Sequence, residues 1–253
     1  NVKSLSQNMD LVIVRENTEG FYADRNMYDG CGEFSPIPGV GLSLRKITKE
    51  ASLKIAESAF EIAKSRSINQ TKKSKVHVVH KANVMKITDG IFLDACRNIS
   101  SKYNDIDCEE MLVDACAAHL VRKPEQFDVI LTTNMFGDIL SDLATELSGS
   151  LGLAGSLNAG NKYAMAQAQH GAAPDIAEKN IANPISLILS SAMLLDWLGK
   201  KRRSEKLILA SNLINKSVLE LLNYKENFTN DLGGKASTNK TTENLTKILT
   251  NLI

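Results

Sequence analysis

The stretch that decides the fold reads Asp128-Val-Ile-Leu-Thr-Thr-Asn-Met-Phe-Gly-Asp-Ile-Leu-Ser-Asp-Leu-Ala-Thr-Glu-Leu147. Its first six residues, 128–133, are apolar at their centre and predict a buried strand. After Gly137, apolar residues recur at helical spacing and predict one stripe made of Ile139, Leu140, Leu143, Ala144 and Leu147. A buried strand that runs straight into an amphipathic helix indicates an α/β fold.

Two carboxylates stand on this predicted helix. Asp138 and Asp142 are four residues apart, so they share one face, away from the apolar stripe. They directly follow a strand, where α/β proteins bind ligands, and oxygen ligands suit a hard divalent cation. The alternative is a solvent-exposed helix face whose acids favour the helix N-terminus. Acids are common in first turns, so this stretch alone favours the second interpretation.

Composition sets the class of protein. The chain has 253 residues, 43% hydrophobic and 23% charged, which is typical of a globular protein of one large domain or two smaller ones. Its net charge of +1 predicts neither a nucleic acid nor a membrane surface as partner. The four cysteines form no C-x-x-C pair and indicate a reducing compartment, so we expect a cytoplasmic protein. No apolar run reaches transmembrane length, and no signal-peptide pattern is present.

Strands and helices alternate along the whole chain, which predicts a sheet with helices on both faces. Predicted strands include residues 9–14, 75–80, 111–113 and 163–168, and predicted helices 48–66, 185–198 and 204–222, with further helices opened by Asp89 and Asn134. Four glycines between 149 and 160 predict a flexible connection and a domain boundary. We therefore expect two domains, residues 1–148 and 149–253.

Complementary polar residues follow four of the predicted strands. They would form one site if the strands are neighbours: Arg15 and Tyr22, Lys81 and Asn83, Asp114, and Asp138 with Asp142. The chain holds no complete P-loop, G-x-G-x-x-G or G-x-S-x-G motif, so these residues are the best candidates for chemistry.

Five motifs, in this order, resemble the β-decarboxylating dehydrogenases of isocitrate, homoisocitrate, 3-isopropylmalate and tartrate. They are Val14-Arg-Glu-Asn-Thr-Glu-Gly-Phe-Tyr22, His80-Lys-Ala-Asn-Val84, Val113-Asp114, Asn134-Met-Phe-Gly-Asp-Ile-Leu-Ser-Asp142, and His170-Gly-Ala-Ala-Pro-Asp-Ile-Ala177 with Ile181-Ala-Asn-Pro184.

The resemblance implies an isopropylmalate-dehydrogenase-like, two-domain α/β/α fold. Residues 1–148 would form the small domain, which carries the dimer contacts and the catalytic residues. Residues 149–253 would form the C-terminal half of the large cofactor-binding domain. The resemblance starts near residue 9 and the chain starts at Asn1 rather than Met, so we expect the family's N-terminal part, with part of the large domain, to be missing.

The resemblance also implies an activity: NAD-dependent oxidative decarboxylation of a 2-hydroxy-3-carboxy acid with Mg²⁺ or Mn²⁺. Asp138 and Asp142 would bind the metal together with Asp114 of the partner subunit in a homodimer. Lys81 would act as general base across the dimer, and Tyr22 would protonate the enol carbon. Arg15 would bind a substrate carboxylate, and Asn83 would contact the substrate or the nicotinamide ribose.

The implied cofactor site lies mostly in the second domain. It comprises Asn83, His170, Gly171, Ala173, Asp175 and Asn183. Asp175 favours NAD over NADP, because a carboxylate accepts hydrogen bonds from a ribose 2′-OH and repels a 2′-phosphate. Gln167 departs from the family pattern: it stands where the family has a glutamate near the nicotinamide, so a hydrogen bond is kept and a charge is lost.

Two alternatives to an active enzyme follow from the resemblance. One is a non-catalytic regulatory subunit, although such subunits tend to lose the metal-binding aspartates, and Asp114, Asp138 and Asp142 are all present. The other is an inactive fragment, in which apolar faces of the helix at 185–198 would be uncovered.

Overall fold

The computed structural model describes residues 2, 9–22, 32–67 and 74–253. Contacts between Cα atoms divide the chain into two compact units, with the division between Ala144 and Thr145. Each unit is built from its own helices and strands.

The first unit contains a four-stranded sheet, a hairpin and helices. Its elements are β1 (Val12–Arg15), β2 (Glu33–Ile37), β3 (Val40–Ser43), α1 (Lys49–Ser67), β4 (Lys75–His80), α2 (Thr88–Ser100), β5 (Asp107–Leu112), α3 (Val113–Arg122), β6 (Val129–Thr132) and α4 (Asn134–Ser148), whose last turn continues into the second unit. The sheet has the order β1-β6-β4-β5 with every pairing parallel, while β2 and β3 pair as a separate antiparallel hairpin.

The parallel arrangement decides where a site can form. All four strands end at the same edge of the sheet, which is where ligands bind in open α/β sheets. Central strand β6 is buried along its whole length, as a strand covered on both faces must be. α1 and α2 share the core with the sheet through Phe60, Phe92, Val78 and Leu131.

The predicted strands at 128–133 and 75–80 and the helices that start after Thr48 and at Asn134 are confirmed. The strand predicted at 111–113 exists, but its predicted bounds are wrong, because β5 spans Asp107–Leu112 and Val113 already belongs to α3. β5 is an edge strand whose first four side chains are exposed, so its sequence lacks the apolar run of a buried strand. Asp114 consequently lies in the first turn of a helix.

The second unit contains the hairpin β7 (Gly155–Ala159) and β8 (Ala164–Ala168), followed by α5 (Ile185–Arg202), α6 (Glu205–Leu221) and α7 (Thr238–Leu252). The three helices share a small core of Ile185, Val218, Leu221 and Leu245. Among the described residues, no helix combines the length and the apolarity that a membrane span requires.

The predicted flexible connection at 149–160 is wrong from Gly155 onward, where β7 begins. A Cβ on Gly155 would lie 3.1 Å from backbone atoms of Leu189 and Ser190, so this glycine allows close packing against α5. Ser190 of α5 accepts a hydrogen bond from Ser156 N–H (2.9 Å) and donates one to the Gln167 carbonyl (2.7 Å). The hairpin is therefore bound to the helix.

Helix α5 is also less buried than its composition predicts. Leu187 is 52% exposed and Met193 is 39% exposed. The hairpin covers only part of the helix surface, through small residues such as the buried Ser186 and Ser190.

Candidate active site

Arg15 ends β1 and reaches the first two turns of α4, the helix that follows the neighbouring strand β6. Its Nη1 lies 2.6 Å from Asp138 Oδ1, and its Nε and Nη2 donate to Asn134 Oδ1 at 2.9 and 2.6 Å. A Cβ on Gly137 would lie 2.5 Å from Arg15 Cγ and 2.7 Å from Arg15 Cβ. The glycine therefore leaves the room that the arginine stem needs.

Tyr22 lies close to both Arg15 and Asp138. Its hydroxyl is 3.4 Å from Asp138 Oδ2, and its ring centroid is 5.9 Å from Arg15 Cζ. Asp142 lies exposed one turn further along α4. The structure thus brings Arg15, Tyr22 and Asp138 together, with the arginine cation beside the first carboxylate.

Lys81 and Asp114 form a second pair at the same edge of the sheet. Lys81 directly follows β4, and Asp114 lies in the first turn of α3, directly after the neighbouring strand β5. Lys81 Nζ donates to Asp114 Oδ1 at 2.6 Å, and this hydrogen bond holds the pKa of the exposed carboxyl below its usual value. Asn83 lies exposed on the turn that follows Lys81.

The three aspartates predicted as metal ligands do not form one group within a single chain. No cluster of three histidine, cysteine or acidic side chains that could hold a metal ion occurs among residues 2, 9–22, 32–67 and 74–253. Asp138 and Asp142 share α4, whereas Asp114 lies beside Lys81. The three residues are therefore divided between two places at the sheet edge.

Sequence reasoning missed one buried ion pair behind Lys81. The sequence predicts Asp89 only as the start of a helix, but its side chain is fully buried in the first turn of α2. Its Oδ1 lies 2.5 Å from Arg45 Nη1, and its Oδ2 accepts a hydrogen bond from the Lys81 backbone N–H at 2.6 Å. The one hint of this ion pair in the sequence is that Asp89 lies eight residues after Lys81. Nothing in the sequence around Arg45 indicates that it pairs with Asp89.

In the second unit, the predicted cofactor residues His170, Gly171, Ala173 and Asp175 lie on the loop after β8. Ala173 has a left-handed backbone (φ 44°), and Asp175 is exposed in the 3₁₀ turn Pro174–Ile176. His170 Nδ1 lies 2.9 Å from the Gly171 carbonyl oxygen. This loop presents a carboxylate to solvent next to a strained backbone position.

Asn183 lies beyond this loop, and both ends of its amide are already bonded. Its Oδ1 accepts from the N–H of Ile185, the first residue of α5, at 3.0 Å, and its Nδ2 donates to Asp231 Oδ2 at 2.9 Å. Asp231, which sequence reasoning also missed, accepts a further hydrogen bond from Ser150 Oγ at 2.6 Å. The side chain of Asn183 thus holds the loop to its surroundings.

The chain is thus an α/β protein whose parallel sheet carries acidic, basic and phenolic side chains at its carboxyl edge, the edge at which such sheets bind ligands. The family profile described as isocitrate/isopropylmalate dehydrogenase matches residues 1–249, and the chain belongs to this family. The resemblance found in the sequence is therefore confirmed.

Two relatives and one solved structure illustrate the similarity. The chain is 44% identical to 3-isopropylmalate dehydrogenase from Saccharolobus solfataricus, over 93% of this chain and 66% of that protein. It is 42% identical to a mitochondrial regulatory subunit of isocitrate dehydrogenase (NAD) from Dictyostelium discoideum, over 98% and 65%. Isocitrate dehydrogenase from Methylococcus capsulatus matches with a TM-score of 0.85 and 37% identity, over 98% of this chain and 69% of that structure.

These similarities confirm the isopropylmalate-dehydrogenase-like α/β fold. They also show that the chain spans about two thirds of the length of its relatives, 66% for the first of them.

Proposed function

We propose that the protein catalyses the NAD-dependent, divalent-metal-dependent oxidative decarboxylation of a 2-hydroxy-3-carboxy acid of the isocitrate, homoisocitrate or 3-isopropylmalate type. The observation that carries the proposal is the arrangement at the carboxyl edge of the sheet. There Arg15, Tyr22 and Asp138 are in mutual contact, and the Lys81–Asp114 pair lies at the ends of the other two strands.

The chain's own residues supply binding and proton transfer. Arg15 is 30% exposed, and its guanidinium already binds one carboxylate, so it suits a substrate carboxylate. The Lys81 amine takes the proton of the substrate's 2-hydroxyl group. Bound NAD would supply the acceptor for the hydride of carbon 2, whose loss together with the hydroxyl proton turns carbon 2 into a ketone. When the 3-carboxylate then leaves as CO₂, its bonding electrons form an enolate, and the Tyr22 hydroxyl gives a proton to carbon 3 of that enolate.

Asp138 and Asp142 fit a hard divalent cation, because they offer carboxylate oxygens one helical turn apart at an accessible edge. Mg²⁺ or Mn²⁺ would be held by these two residues and by Asp114 of the partner subunit. When bound, the ion supplies polarisation of the substrate's oxygens. This division of ligands supports a homodimer with shared active sites.

The loop at His170 to Asp175 is the proposed adenosine site. Its exposed Asp175 carboxylate supports NAD over NADP, because it can accept hydrogen bonds from a free ribose 2′-OH. Gly171 and Ala173 carry little or no side chain, which lets a ligand approach the loop closely.

The test is a spectrophotometric screen for NADH with isocitrate, homoisocitrate, 3-isopropylmalate and tartrate. It uses the 253-residue chain and an extended protein that carries the N-terminal part of a relative. We expect NADH production that requires Mg²⁺ or Mn²⁺ and stops in excess chelator. Undiminished NADH production in chelator would overturn the metal assignment. Activity of neither protein with any of the four acids would overturn the proposed function in favour of a regulatory or inactive chain.

A further inference from the structure

The turn at residues 81–88 carries both Lys81 and Asn83, and its two ends are joined by a single side chain. Asp89 Oδ2 accepts a hydrogen bond from Lys81 N–H at 2.6 Å. The Lys81 carbonyl accepts from Val84 N–H (3.0 Å) and Met85 N–H (2.9 Å) within the turn. Both backbone polar groups of Lys81 are therefore bonded, and the start of its side chain is set before Nζ reaches Asp114.

The carboxylate that grips Lys81 is itself held by a buried cation. Arg45 is 8% exposed and Asp89 is 0% exposed, and their closest atoms are 2.5 Å apart. Arg45 also donates to Thr88 Oγ1 at 2.6 Å and to Thr133 Oγ1 at 3.0 Å. The guanidinium carbon lies 5.9 Å from the Phe21 ring and 5.7 Å from the Phe136 ring. Arg45 thus ties the start of α2 to Thr133, the residue that follows β6.

A buried ion pair is poor at adding stability, because the cost of taking two charges out of water offsets most of their attraction. An apolar pair of similar volume would fill this site at least as well. What an apolar pair cannot do is accept a hydrogen bond from Lys81 N–H, and an unsatisfied buried N–H is costly. The advantage of the ion pair therefore lies in the position that it imposes.

We propose that Asp89, balanced by Arg45, is a positioning residue that fixes the Lys81 turn and so aims the Lys81 amine into the candidate active site. The catalytic consequence rests on the proposed function, but the structural clamp does not. A misplacement of a reacting group by about 1 Å can cost about 100-fold in rate, so the clamp is expected to act on kcat. Substrate binding by Arg15, which lies at the end of β1 and contacts α4, is expected to change little.

The experiment compares two double variants, R45M/D89N and R45M/D89L, which remove the same two buried charges. Asn keeps an oxygen that can accept from Lys81 N–H, and Leu does not. We expect R45M/D89N to keep kcat within about threefold of the wild type and R45M/D89L to lose about 100-fold, with KM for the hydroxy acid unchanged in both. Asp94→Ala, on the exposed face of the same helix, is the matched control and leaves kcat unchanged.

A second readout does not depend on activity. It is the NMR chemical shift of the Lys81 amide proton, which moves downfield when the proton is hydrogen-bonded to a carboxylate. We expect a downfield shift in the wild type and in Asp94→Ala and a smaller one in R45M/D89N. In R45M/D89L the signal is expected upfield of the other three. Equal kcat and equal Lys81 amide shifts in the two double variants would overturn the proposal. If no protein oxidises a hydroxy acid, the proposed function fails, and the amide shifts alone then decide whether the clamp exists.

Discussion

At the scale of single residues, the candidate site depends on contacts between distant parts of the chain. Arg15 and Asp138 are 123 positions apart in the sequence, and their side chains lie 2.6 Å apart. The motifs identified both residues as candidates, but no local pattern shows that an arginine cation lies beside the first proposed metal ligand.

Asp138→Asn keeps the shape of the side chain and removes its charge. We expect metal-dependent NADH production to fall by about 100-fold, because a neutral amide is a poor ligand for a hard cation. Since Asp138 is 48% exposed, loss of its ion pair with Arg15 should change the free energy of unfolding by less than about 1 kcal/mol. Glu50→Gln, which alters an exposed ion pair on α1, is the control. Wild-type turnover in Asp138→Asn would contradict the assignment.

Asp175→Ala removes the exposed carboxylate of the proposed adenosine loop. We expect the preference for NAD over NADP to fall about tenfold, as a loss of about 1.4 kcal/mol of discrimination would give. The measurement is the ratio of kcat/KM for the two cofactors. An unchanged ratio would show that another residue reads the ribose.

At the scale of elements, helix α4 lies so close to β1 that one helical position must be glycine. Gly137→Ala would gain helix propensity, but the new methyl group would overlap the Arg15 stem at 2.5 to 2.7 Å. We expect a lower melting temperature and a higher KM for the substrate, because Arg15 must move.

Gly90→Ala is the matched control for this substitution. Gly90 also lies in a helix, and a Cβ there would meet no described atom within 4 Å. This change should stabilise the protein by about 0.5–1 kcal/mol. If both substitutions raise the melting temperature, the close approach of α4 to β1 would be disproved.

Edge strand β5 should make part of the stability depend on pH. The hydrogen bond from Arg97 holds the pKa of Glu110 below its usual value of 4.5. The folded state then binds fewer protons than the unfolded state near that pH, so this stabilisation is present above 4.5 and is lost on acidification.

Arg97→Met tests this dependence through the free energy of unfolding in urea at several pH values. We expect the difference between wild type and variant to be below about 1 kcal/mol at neutral pH, because the pair is partly exposed. The difference should narrow further as pH falls below 4.5. A difference that is constant with pH would argue against the pair.

At the scale of the whole molecule, the division of proposed ligands predicts that two chains complete each site. Lys81→Met and Asp138→Asn should each be inactive. When the two variants are mixed and their subunits exchange at random, about half of the dimers contain one subunit of each kind. If Lys81 and Asp114 act across the dimer, each mixed dimer has one intact site out of two. About a quarter of wild-type activity should then return. Lys81→Met mixed with Asp114→Asn is the control and should regain nothing, because no site then receives both residues intact. A first mixture as inactive as its parents would place the site within one chain.

The sequence by itself determined the buried strands, the helices with clear caps and the family motifs. Apolar runs, 3.6-residue periodicity and capping residues act locally, so 75–80, 128–133 and the helix after Thr48 were predictable. Edge strand β5 was not, because exposed side chains carry no apolar pattern.

Only the tertiary structure decided that Gly137 makes room for Arg15, that Gly155 packs against α5, and that Arg45 and Asp89 lie behind Lys81. Each of these depends on the distance between segments far apart in sequence. Such distances follow from the packing of the whole core, so no window of the chain contains them.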